Sequence, residues 1–580
     1  MGLKVSLLAI LVIFLAGSLL KNPREPLNNS LRALAFAICE ADSAYLACII
    51  DFLSDAVITR RGIYLYPAPL KIHASTFLHR EPQMTDTPEV RAVSPHAVII
   101  GTGFGGLCMA IQLKMAGIHS FTMLEKASNV GGTWRDNTYP GAACDVQSHL
   151  YSYSFEPKHD WTRKFGLQAE IRQYMEDCVE KYDLASHIQF NKDVVAANYD
   201  DTTHQWVIDT QDGAQLRSNI LVTACGQLNR PAFPNIKGME DFKGKVFHSA
   251  RWDHDHNLDG ESVAVIGTGA SAIQFVPQIT PRVKQLKLFQ RSAAWVLPKA
   301  DRLFAGWEQS SFKNMPLLDR IYRTMIYWKN ESRALAFTRF NALLNVLALQ
   351  AKYCAKRDIK DPVKRAKVIP DYKIGCKRIL ISNDWYKAIN SDNLDVINDG
   401  IDHIEADAIV SKDGSRHAVD TIIYGTGFQA TDFLSPINIT GHNGVNLNDA
   451  WQDGAEAYKG ITVSGFPNLF MLYGPNTNLA HNSIVFMIES QVRYVLSCLQ
   501  ALEASNSAAM NVLPDTQSEF VNGVQKRLEG SVWASGCTSW YTTASGKNPV
   551  NWPGFTFSYR LSTRKVNLND YQFYPKPVNA

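Results

Sequence analysis

The sequence predicts an α/β protein in which two separate domains each combine parallel strands with helices. A short apolar strand, a glycine-rich turn and a helix follow one another at residues 98–116, and the same order begins again at residue 263. A charged residue closes each unit at the same distance from its first glycine, Glu125 in the first and Arg291 in the second. Strands and helices that alternate in this way form doubly wound, Rossmann-like domains. We therefore expect two dinucleotide-binding, Rossmann-like domains.

The N-terminal 94 residues precede these domains and contain an apolar segment. Residues 5–20 are uncharged and strongly apolar, and Lys4 and Lys21 bound them. This run is slightly shorter than the ~20 residues that usually span a bilayer. The basic residues that follow it favour a single-pass membrane anchor with the rest of the chain facing the cytoplasm. A cleaved signal peptide is the alternative, because residues 16–18 form a small-residue cleavage site.

The first glycine-rich turn meets the requirements of a pyrophosphate site. Its fingerprint glycines are Gly101, Gly103 and Gly106. A side chain at either of the first two would block the turn or keep a phosphate from the backbone N–H groups, and one at the third would hold the helix off the strand. Glu125 ends the next predicted strand, where a carboxylate can accept hydrogen bonds from ribose hydroxyls. The sequence therefore assigns FAD to this site.

The second turn repeats the pattern with a different residue at the ribose position. It begins at Gly267 and is followed by Thr268, Gly269, Ala270, Ser271 and Ala272. Arg291, followed by Ser292, occupies the place that Glu125 has in the first unit. A guanidinium suits a 2'-phosphate through charge-assisted hydrogen bonds, whereas a carboxylate favours a free 2'-hydroxyl. We therefore assign NADPH to the second site.

Two long gapped patterns lie around and between these units. One pattern, F-x-G-x-x-x-H-x-x-x-W followed by P or D, is matched by Phe242, Gly244, His248, Trp252 and Asp253. The other begins with A or G, continues G-x-W and ends in aspartate, and is matched by Gly131, Gly132, Trp134, Tyr139, Pro140, Gly141 and Asp145. With these motifs, residues 95–557 resemble the class B flavoprotein monooxygenases and, within them, the type I Baeyer-Villiger monooxygenases.

The resemblance implies an enzyme that uses FAD, NADPH and O2 to insert oxygen next to a ketone carbonyl, through a flavin C4a-peroxide, giving an ester or lactone. The catalytic arginine of the family corresponds to Arg378, which follows Lys377 in a G-x-K-R segment. Arginine suits this role because it stays charged near neutral pH and can stabilise a developing oxyanion. By the same resemblance, Asp145 pairs with Arg378, and Lys377 helps to hold the NADPH 2'-phosphate.

Further positions correspond to cofactor contacts in the family. The FAD-contacting set comprises Glu125, Thr133, Trp134, Arg135, Asp136, Asp145 and Tyr151. Arg135 and Asp136 are less typical side chains, so we expect them to contribute through their backbone. The NADPH-contacting set comprises Ala143, Cys144, Thr268, Gly269, Ala270, Ser271, Ala272, Ile273, Gln274, Arg291 and Ser292, and Trp540 resembles a tryptophan near the nicotinamide cofactor.

Two histidines stay outside the catalytic set. His248 and Trp252 lie in the connection between the two nucleotide domains, and we expect them to couple domain movement without touching substrate. His481 has two open interpretations, one near the flavin and one as the cap of a helix. Phe433, Trp451 and the aromatic residues of segment 533–557 shape either a substrate pocket or simply the core.

The order of motifs predicts that the chain visits the FAD domain twice. We place the first part of that domain at residues 95–240 and the NADPH domain at residues 241–395. A helical insertion at about 302–370 interrupts the NADPH domain, since the segment is rich in helix-forming residues at helical spacing. Residues 396–580 complete the FAD domain and add a tail. Residues 230–235 and 401–413 are the candidate linkers.

The charge and the cysteine spacing of the chain disfavour several partners and enzyme classes. The chain has 580 residues and a net charge of +3 without basic runs, which disfavours nucleic acid as a partner. Its ten cysteines show neither a C-x-x-C pair nor zinc spacing, so we expect reduced thiols and no metal site. The missing C-x-x-C pair also disfavours a flavin disulfide reductase.

Two other functions stay open at this point. One is an N- or S-oxygenating flavin monooxygenase, whose electrophilic oxidant attacks soft heteroatoms and does not need Arg378. The other is an NADPH oxidase, or a flavin-binding protein that has lost oxygenation. The leading prediction is a monooxygenase that acts on a bulky apolar ketone of secondary metabolism, because the chain has a large aromatic complement and an apolar N-terminal run.

Overall fold

The computed structural model describes residues 57–59, 62–64, 96–537, 539–543 and 545–577. The chain divides into two compact units, Met1–Thr87 and Pro88–Ala580. In the first unit the described residues form an antiparallel pair of short strands, β1 with β2. The predicted anchor at residues 5–20 lies outside the described residues.

The strands of the second unit are mostly short, and the central strands of its two main sheets, such as β3, β9, β11 and β19, are almost entirely buried. Apolar, β-branched sequences such as Ala-Val-Ile-Ile and Ser-Val-Ala-Val-Ile form their centres, as expected for strands covered on both faces. In chain order the strands are β1 (Val57–Thr59), β2 (Gly62–Tyr64), β3 (Ala97–Ile100), β4 (Phe121–Glu125), β5 (Ile188–Phe190), β6 (Val194–Asp200), β7 (Gln205–Thr210), β8 (Gln215–Ser218), β9 (Ile220–Thr223), β10 (Lys245–His248), β11 (Ser262–Ile266), β12 (Gln285–Phe289), β13 (Val296–Leu297), β14 (Leu380–Ile381), β15 (Leu394–Ile397), β16 (Ile401–Ile404), β17 (Ala408–Ser411), β18 (Arg416–Ala418), β19 (Thr421–Tyr424), β20 (Asn438–Thr440), β21 (Leu469–Met471), β22 (Ser507–Val512) and β23 (Tyr571–Pro575).

The helices include one that follows each glycine-rich turn and a group in the middle of the chain. The helix after the first turn is apolar nearly all round, which fits its burial between a sheet and another helix. In chain order the α-helices are α1 (Phe104–Met115), α2 (Thr133–Asp136), α3 (Gln168–Lys181), α4 (Ala272–Ile279), α5 (Gly306–Asn314), α6 (Pro316–Glu331), α7 (Ala334–Thr338), α8 (Leu344–Asp358), α9 (Pro362–Lys367), α10 (Trp385–Ile389), α11 (Leu447–Ala450), α12 (Ile484–Ala504), α13 (Pro514–Glu529) and α14 (Thr556–Ser562).

The first main sheet has five parallel strands in the order β21-β9-β3-β4-β5. The order reverses between β3 and β9, because the chain runs from β3 outward to β5 and then returns to the other side. Ligands of doubly wound sheets bind at the carboxyl ends of the strands at such a reversal. The first glycine-rich turn leaves β3 at this place, so this sheet confirms the predicted strand, turn and helix.

The second main sheet also has five parallel strands, in the order β10-β19-β11-β12-β15. Strand β19 pairs with both β10 and β11, and it lies at residues 421–424. The sequence prediction assigned these residues to the returning FAD domain, and the structure corrects that boundary. The second domain extends to Tyr424, because β19 supplies the strand on the far side of the reversal at β11.

The candidate linker at residues 401–413 is also wrong. Those residues contain the whole of β16 and β17, which build an antiparallel three-stranded sheet with β18. In the sequence of residues 401–413, apolar and polar residues alternate too weakly to indicate strands, although Ile404 and Ile409 pack into a buried cluster. By contrast, residues 230–235 form no helix or strand and lead from one main sheet toward the other.

The predicted helical insertion is confirmed as helices α5 to α9. Helix α6 packs one face on the first domain, where Asp319 contacts His149 and His159. Helix α8 packs on the second domain through Ala351, Cys354 and Ala355. In the described part of the chain no single helix is long and apolar enough to cross a membrane. The helical segments Pro316–Thr338 and Asn341–Asp358, which meet at a bend of 110°, reach the necessary length and apolar content only when taken together.

Candidate active site

Both glycine-rich turns face one cavity of about 1190 Å³. A typical site for a single small ligand has roughly 300–1,000 Å³, so this cavity has room for more than one. It lies at the carboxyl ends of β3, β9, β11 and β19, where both sheets reverse their order. The predicted site residues that line it are Gly101, Gly103, Glu125, Thr133, Trp134, Arg135, Asp136, Ala143, Cys144, Asp145, Tyr151, Gly267, Thr268, Gly269, Ala270, Ser271, Ile273, Gln274, Arg291, Ser292, Lys377, Arg378 and Trp540.

Two predicted residues, Gly106 and Ala272, lie behind the cavity wall. A Cβ at Gly106 would overlap the carbonyl oxygen of Gly101, so only glycine lets α1 approach the turn this closely. Gly101 itself has φ +101°, and a Cβ there would meet the carbonyl oxygen of Ala224 at 2.8 Å. Ala272 is fully buried at the start of α4. These residues shape the two turns from inside the protein.

Glu125 holds the first turn in place through its carboxylate. The Thr102 hydroxyl and backbone N–H donate to one oxygen at 2.6 and 3.1 Å. The other oxygen accepts from the Ala127 N–H at 3.0 Å and from the Arg135 guanidinium at 2.8 Å. Arg135 also donates to Asp136 at 2.8 Å, so both of these side chains bind other protein groups. The backbone role expected of both residues toward a cofactor stays a prediction.

The segment between Tyr139 and Asp145 joins the two domains. Gln274, in the first turn of α4, accepts from the Tyr139 hydroxyl at 2.9 Å and donates to the Ala143 carbonyl at 2.9 Å. A Cβ at Gly141 would meet the Gln274 carbonyl oxygen at 2.9 Å, so the motif has its glycine where a close approach of the two segments requires one. This contact brings Asp145 to the boundary between the two nucleotide turns.

The second turn gathers three polar residues that are distant in sequence. Lys377 donates from Nζ to the Ser292 hydroxyl at 2.9 Å, and its ammonium lies 4.6 Å from the centre of the Tyr372 ring. Partial burial, and then the charge of Arg291, lower the pKa of Lys377 below its ordinary value. Arg291, Ser292 and Lys377 therefore form a compact basic site on the cavity wall.

Arg378 and Asp145 form an ion pair on the wall of the same cavity. The guanidinium donates from Nε at 3.1 Å, and also from Nη2, to one carboxylate oxygen. The Asp145 charge raises the pKa of Arg378 above its ordinary value against the opposing effect of burial. Burial opposes ionisation of Asp145, but the charge and hydrogen bonds of Arg378 outweigh it and lower the pKa of Asp145. Both groups are therefore charged over the neutral pH range.

Two tyrosines near this pair were not predicted. Tyr473 lines the cavity in a left-handed conformation (φ +61°), and its hydroxyl donates to Asn478 at 2.6 Å. Tyr541 is fully buried next to Arg378, and burial raises its pKa to about 12. Among the described residues its hydroxyl has no hydrogen-bond partner. Both follow Arg378 by about a hundred residues or more along the chain, so no local pattern connects them.

A disulfide joins the Arg378 segment to the segment that carries Trp540. It links Cys376 and Cys537, whose Cα atoms lie 6.3 Å apart across 161 residues of sequence. The expectation of reduced thiols is therefore wrong for these two cysteines. Cysteine spacing could not reveal the bond, because the fold alone brings the two segments together. The other described cysteines are free, among them the buried Cys144.

The remaining predicted side chains serve the protein scaffold. His481 is buried 3.6 Å from the Glu331 carboxylate of α6, and that carboxylate also accepts from Asn482 at 2.6 Å. Helix α12 is capped by Ser483, so His481 is not the cap. His248 accepts from the Ala250 N–H at the link between the domains. Phe433, Trp451, Trp533 and Trp552 pack around one buried cluster. Among the described residues of segment 533–557, Ser539 and Trp540 are the ones that reach the cavity.

Comparison with known proteins agrees with this architecture. The chain matches a family model described as flavin-binding monooxygenase-like over residues 95–438. A Baeyer-Villiger monooxygenase of Pseudomonas aeruginosa is 44% identical over 506 residues, which is 87% of this chain and 96% of the relative. Another, from Streptomyces coelicolor, is 44% identical over 485 residues, which is 83% of this chain and 93% of the relative.

Solved structures give the same result. An oxidized steroid monooxygenase bound to NADP superimposes with a TM-score of 0.75 at 28% identity, over 83% of this chain and 99% of the other. OTEMO in complex with FAD and NADP superimposes with a TM-score of 0.76 at 26% identity, over the same shares of both chains. The chain thus belongs to the flavin-binding monooxygenase-like family and, within it, to the Baeyer-Villiger monooxygenases.

Proposed function

We propose that this chain binds FAD at the first turn and NADPH at the second, and inserts one atom of O2 between the carbonyl carbon of a ketone and its neighbour. The products are an ester or lactone, water and NADP+. The observation that carries this proposal is the Arg378–Asp145 pair, which lies in the single cavity that both nucleotide turns face. Catalysis at that position requires both cofactors to reach the same space.

The residues present fit both cofactors. A Cβ at Gly103 would have only the Cα of Gly132 within reach, at 4.0 Å, so this position leaves the start of α1 open to a pyrophosphate. Gly101 permits the turn itself, because a Cβ there would meet the carbonyl oxygen of Ala224 at 2.8 Å. Arg291 and Lys377 offer two cations to a 2'-phosphate, and an anion between them would oppose both the partial burial and the Arg291 charge that lower the Lys377 pKa. The related structures bound to FAD and NADP support this assignment.

FAD supplies the reaction with O2, which no side chain can perform. Arg378 supplies a fixed positive charge where negative charge develops on oxygen as the ketone carbon becomes tetrahedral. Asp145 orients the guanidinium and offsets the cost of placing it in a partly buried site. Asp145 does not act as an acid at neutral pH, because Arg378 holds its pKa below the ordinary value.

We further propose that the ketone is a bulky, apolar compound of secondary metabolism. Apolar side chains extend the cavity beyond the nucleotide turns, among them Leu434, Leu479, Ile484 and Ile488. Burial of apolar substrate surface against such residues contributes about 25 cal/mol per Å². We therefore expect kcat/KM to rise with the size of the ketone, measured with purified protein on a panel from cyclopentanone to fused polycyclic ketones. Turnover of small cyclic ketones without turnover of large ones would contradict this assignment.

We also propose that residues 5–20 anchor the chain in a membrane with the catalytic unit facing the cytoplasm, where NADPH is available. The support is the uncharged apolar run itself and the basic residues that follow it. We expect the full chain to stay with membranes after alkaline carbonate extraction, and the variant Leu8→Gln/Val12→Gln/Leu15→Gln to be released. Recovery of the wild-type chain without residues 1–18 would show cleavage of a signal peptide instead.

A further inference from the structure

The helical insertion exposes an unusual amount of apolar surface. Of the 22 large apolar side chains that are exposed in the described part of the chain, 13 lie in residues 302–370. Monomeric soluble proteins rarely expose contiguous apolar patches of more than a few hundred Å², and larger ones mark interaction sites. The concentration of exposed apolar side chains in this short segment therefore indicates a surface that is covered by something.

The exposed side chains follow the outer faces of two helices. On α6, Leu317, Ile321 and Met325 recur at four-residue spacing and project away from the face that packs on the first domain. On α8, Val346 and Leu349 are 65% and 68% exposed, opposite the face that packs on the second domain. Leu318 extends the first face and Tyr353 the second. We call these two faces together the insertion surface.

The charge of the insertion is strongly positive. Residues 302–370 contain 14 Lys and Arg but only 5 Asp and Glu, against a net charge of +3 for the whole chain. Two of the five acids, Asp319 and Glu331, are buried against the first domain and do not reach the outer surface. Lys313, Lys329, Arg339, Lys352 and Lys356 are all exposed beside the apolar side chains.

The combination of apolar and basic groups favours an anionic bilayer as the partner over a second copy of the chain or its own N-terminal residues. A second copy of the same surface would place its many cations against one another, which disfavours self-association. The N-terminal 94 residues have nearly balanced charge and offer no acidic complement. An anionic bilayer offers both an apolar interior and negative headgroups, and each Lys or Arg near such a surface contributes about 1 kcal/mol.

We propose that the insertion surface docks the enzyme on bilayers that contain anionic lipids. Ile321, Met325, Val346 and Leu349 enter the interface, while the exposed lysines and arginines bind headgroup phosphates. Trp307, which is 71% exposed on α5, and Tyr353 belong to the residue types that favour the membrane–water boundary. The docking is separate from any anchor at residues 5–20 and from the chemistry at Arg378.

The test separates the insertion surface from the N-terminal run. The starting protein is the full chain with Leu8→Gln/Val12→Gln/Leu15→Gln, and its binding to phosphatidylcholine vesicles with or without phosphatidylserine is measured by co-sedimentation. We expect binding that requires phosphatidylserine and weakens as salt is added. Adding Ile321→Gln/Met325→Gln/Val346→Gln/Leu349→Gln should lower the vesicle affinity by at least about tenfold, because apolar area no longer enters the interface.

A matched control changes four exposed apolar side chains elsewhere, Val195→Gln/Val246→Gln/Leu561→Gln/Leu568→Gln, and should retain vesicle binding. All variants should oxidise NADPH at the starting rate with a soluble ketone, which shows that they are folded. Equal vesicle affinity with and without the insertion substitutions would overturn the proposal. So would light scattering that shows a dimer of the starting protein becoming monomeric in the insertion variant, since the surface would then join two copies.

Discussion

Replacing Arg378 with alanine is expected to lower kcat for ester formation by about 10²- to 10³-fold, because one electrostatic donor to a developing oxyanion has this effect in other enzymes. Arg378 is the cation that faces the cavity next to Asp145, and the pair keeps it charged and oriented. The measurement is product formation by gas chromatography at saturating ketone and NADPH. The bound FAD, determined by its absorbance per protein, should be unchanged.

Two further variants give this prediction its control. Arg378→Lys keeps the charge but loses the planar pair of donors, so its activity should lie between wild type and Arg378→Ala. Oxidation of a thioether by Arg378→Ala should fall much less than oxidation of a ketone, because attack on a soft heteroatom needs no oxyanion stabilisation. Undiminished ester formation by Arg378→Ala would remove this residue from the mechanism. Equal loss with both substrates would show a defect that precedes oxygen transfer.

Replacing Lys377 with alanine is expected to raise KM for NADPH by about 10- to 100-fold and to leave KM for NADH nearly unchanged. A hydrogen bond to a charged group contributes about 1.5–3 kcal/mol to binding. The substitution removes this contribution for NADPH only, because NADH has no 2'-phosphate. Arg291→Ala should behave in the same way, since Arg291 and Lys377 flank Ser292. Initial rates of ketone-dependent oxidation of both coenzymes give the two KM values.

Lys287→Ala is the matched control. This lysine lies on β12, the strand that precedes Arg291, but it pairs with Asp395 outside the cavity. Its KM values should equal those of the wild type. A similar rise in KM for NADH and NADPH in Lys377→Ala would indicate a distorted turn and not a lost phosphate contact. An enzyme that prefers NADH before any substitution would contradict the assignment of the second site.

Local features of the sequence were sufficient for the nucleotide turns. The glycine-rich pattern directly after an apolar strand indicated both turns. Glu125 ends β4 and Arg291 comes two residues after β12, so each lies at the end of a strand that its own sequence predicts. The pairing of Arg378 with Asp145 was predicted only through resemblance to a family, because 233 residues separate them. No periodicity in a sequence encodes such a contact.

The errors concern contacts made by distant segments. Strand β19 was assigned to the wrong domain because parallel strands can pair at any sequence separation, and its four buried residues, Thr-Ile-Ile-Tyr, suit either sheet. The Cys376–Cys537 disulfide was missed for the same reason, since only the folded chain brings these two cysteines within bonding distance. Tyr473 and Tyr541 were missed because their position next to Arg378 depends on the path of the C-terminal segment.

The central claim is that the chain inserts one atom of O2 next to a ketone carbonyl, and isotope labelling tests it most directly. Purified protein, NADPH and a bulky ketone are incubated under 18O2, and the products are examined by mass spectrometry. We predict an ester that carries one labelled atom in its bridging oxygen, with the second labelled atom in water. Labelled hydrogen peroxide without any labelled ester, from every ketone supplied, would show an NADPH oxidase and contradict the account.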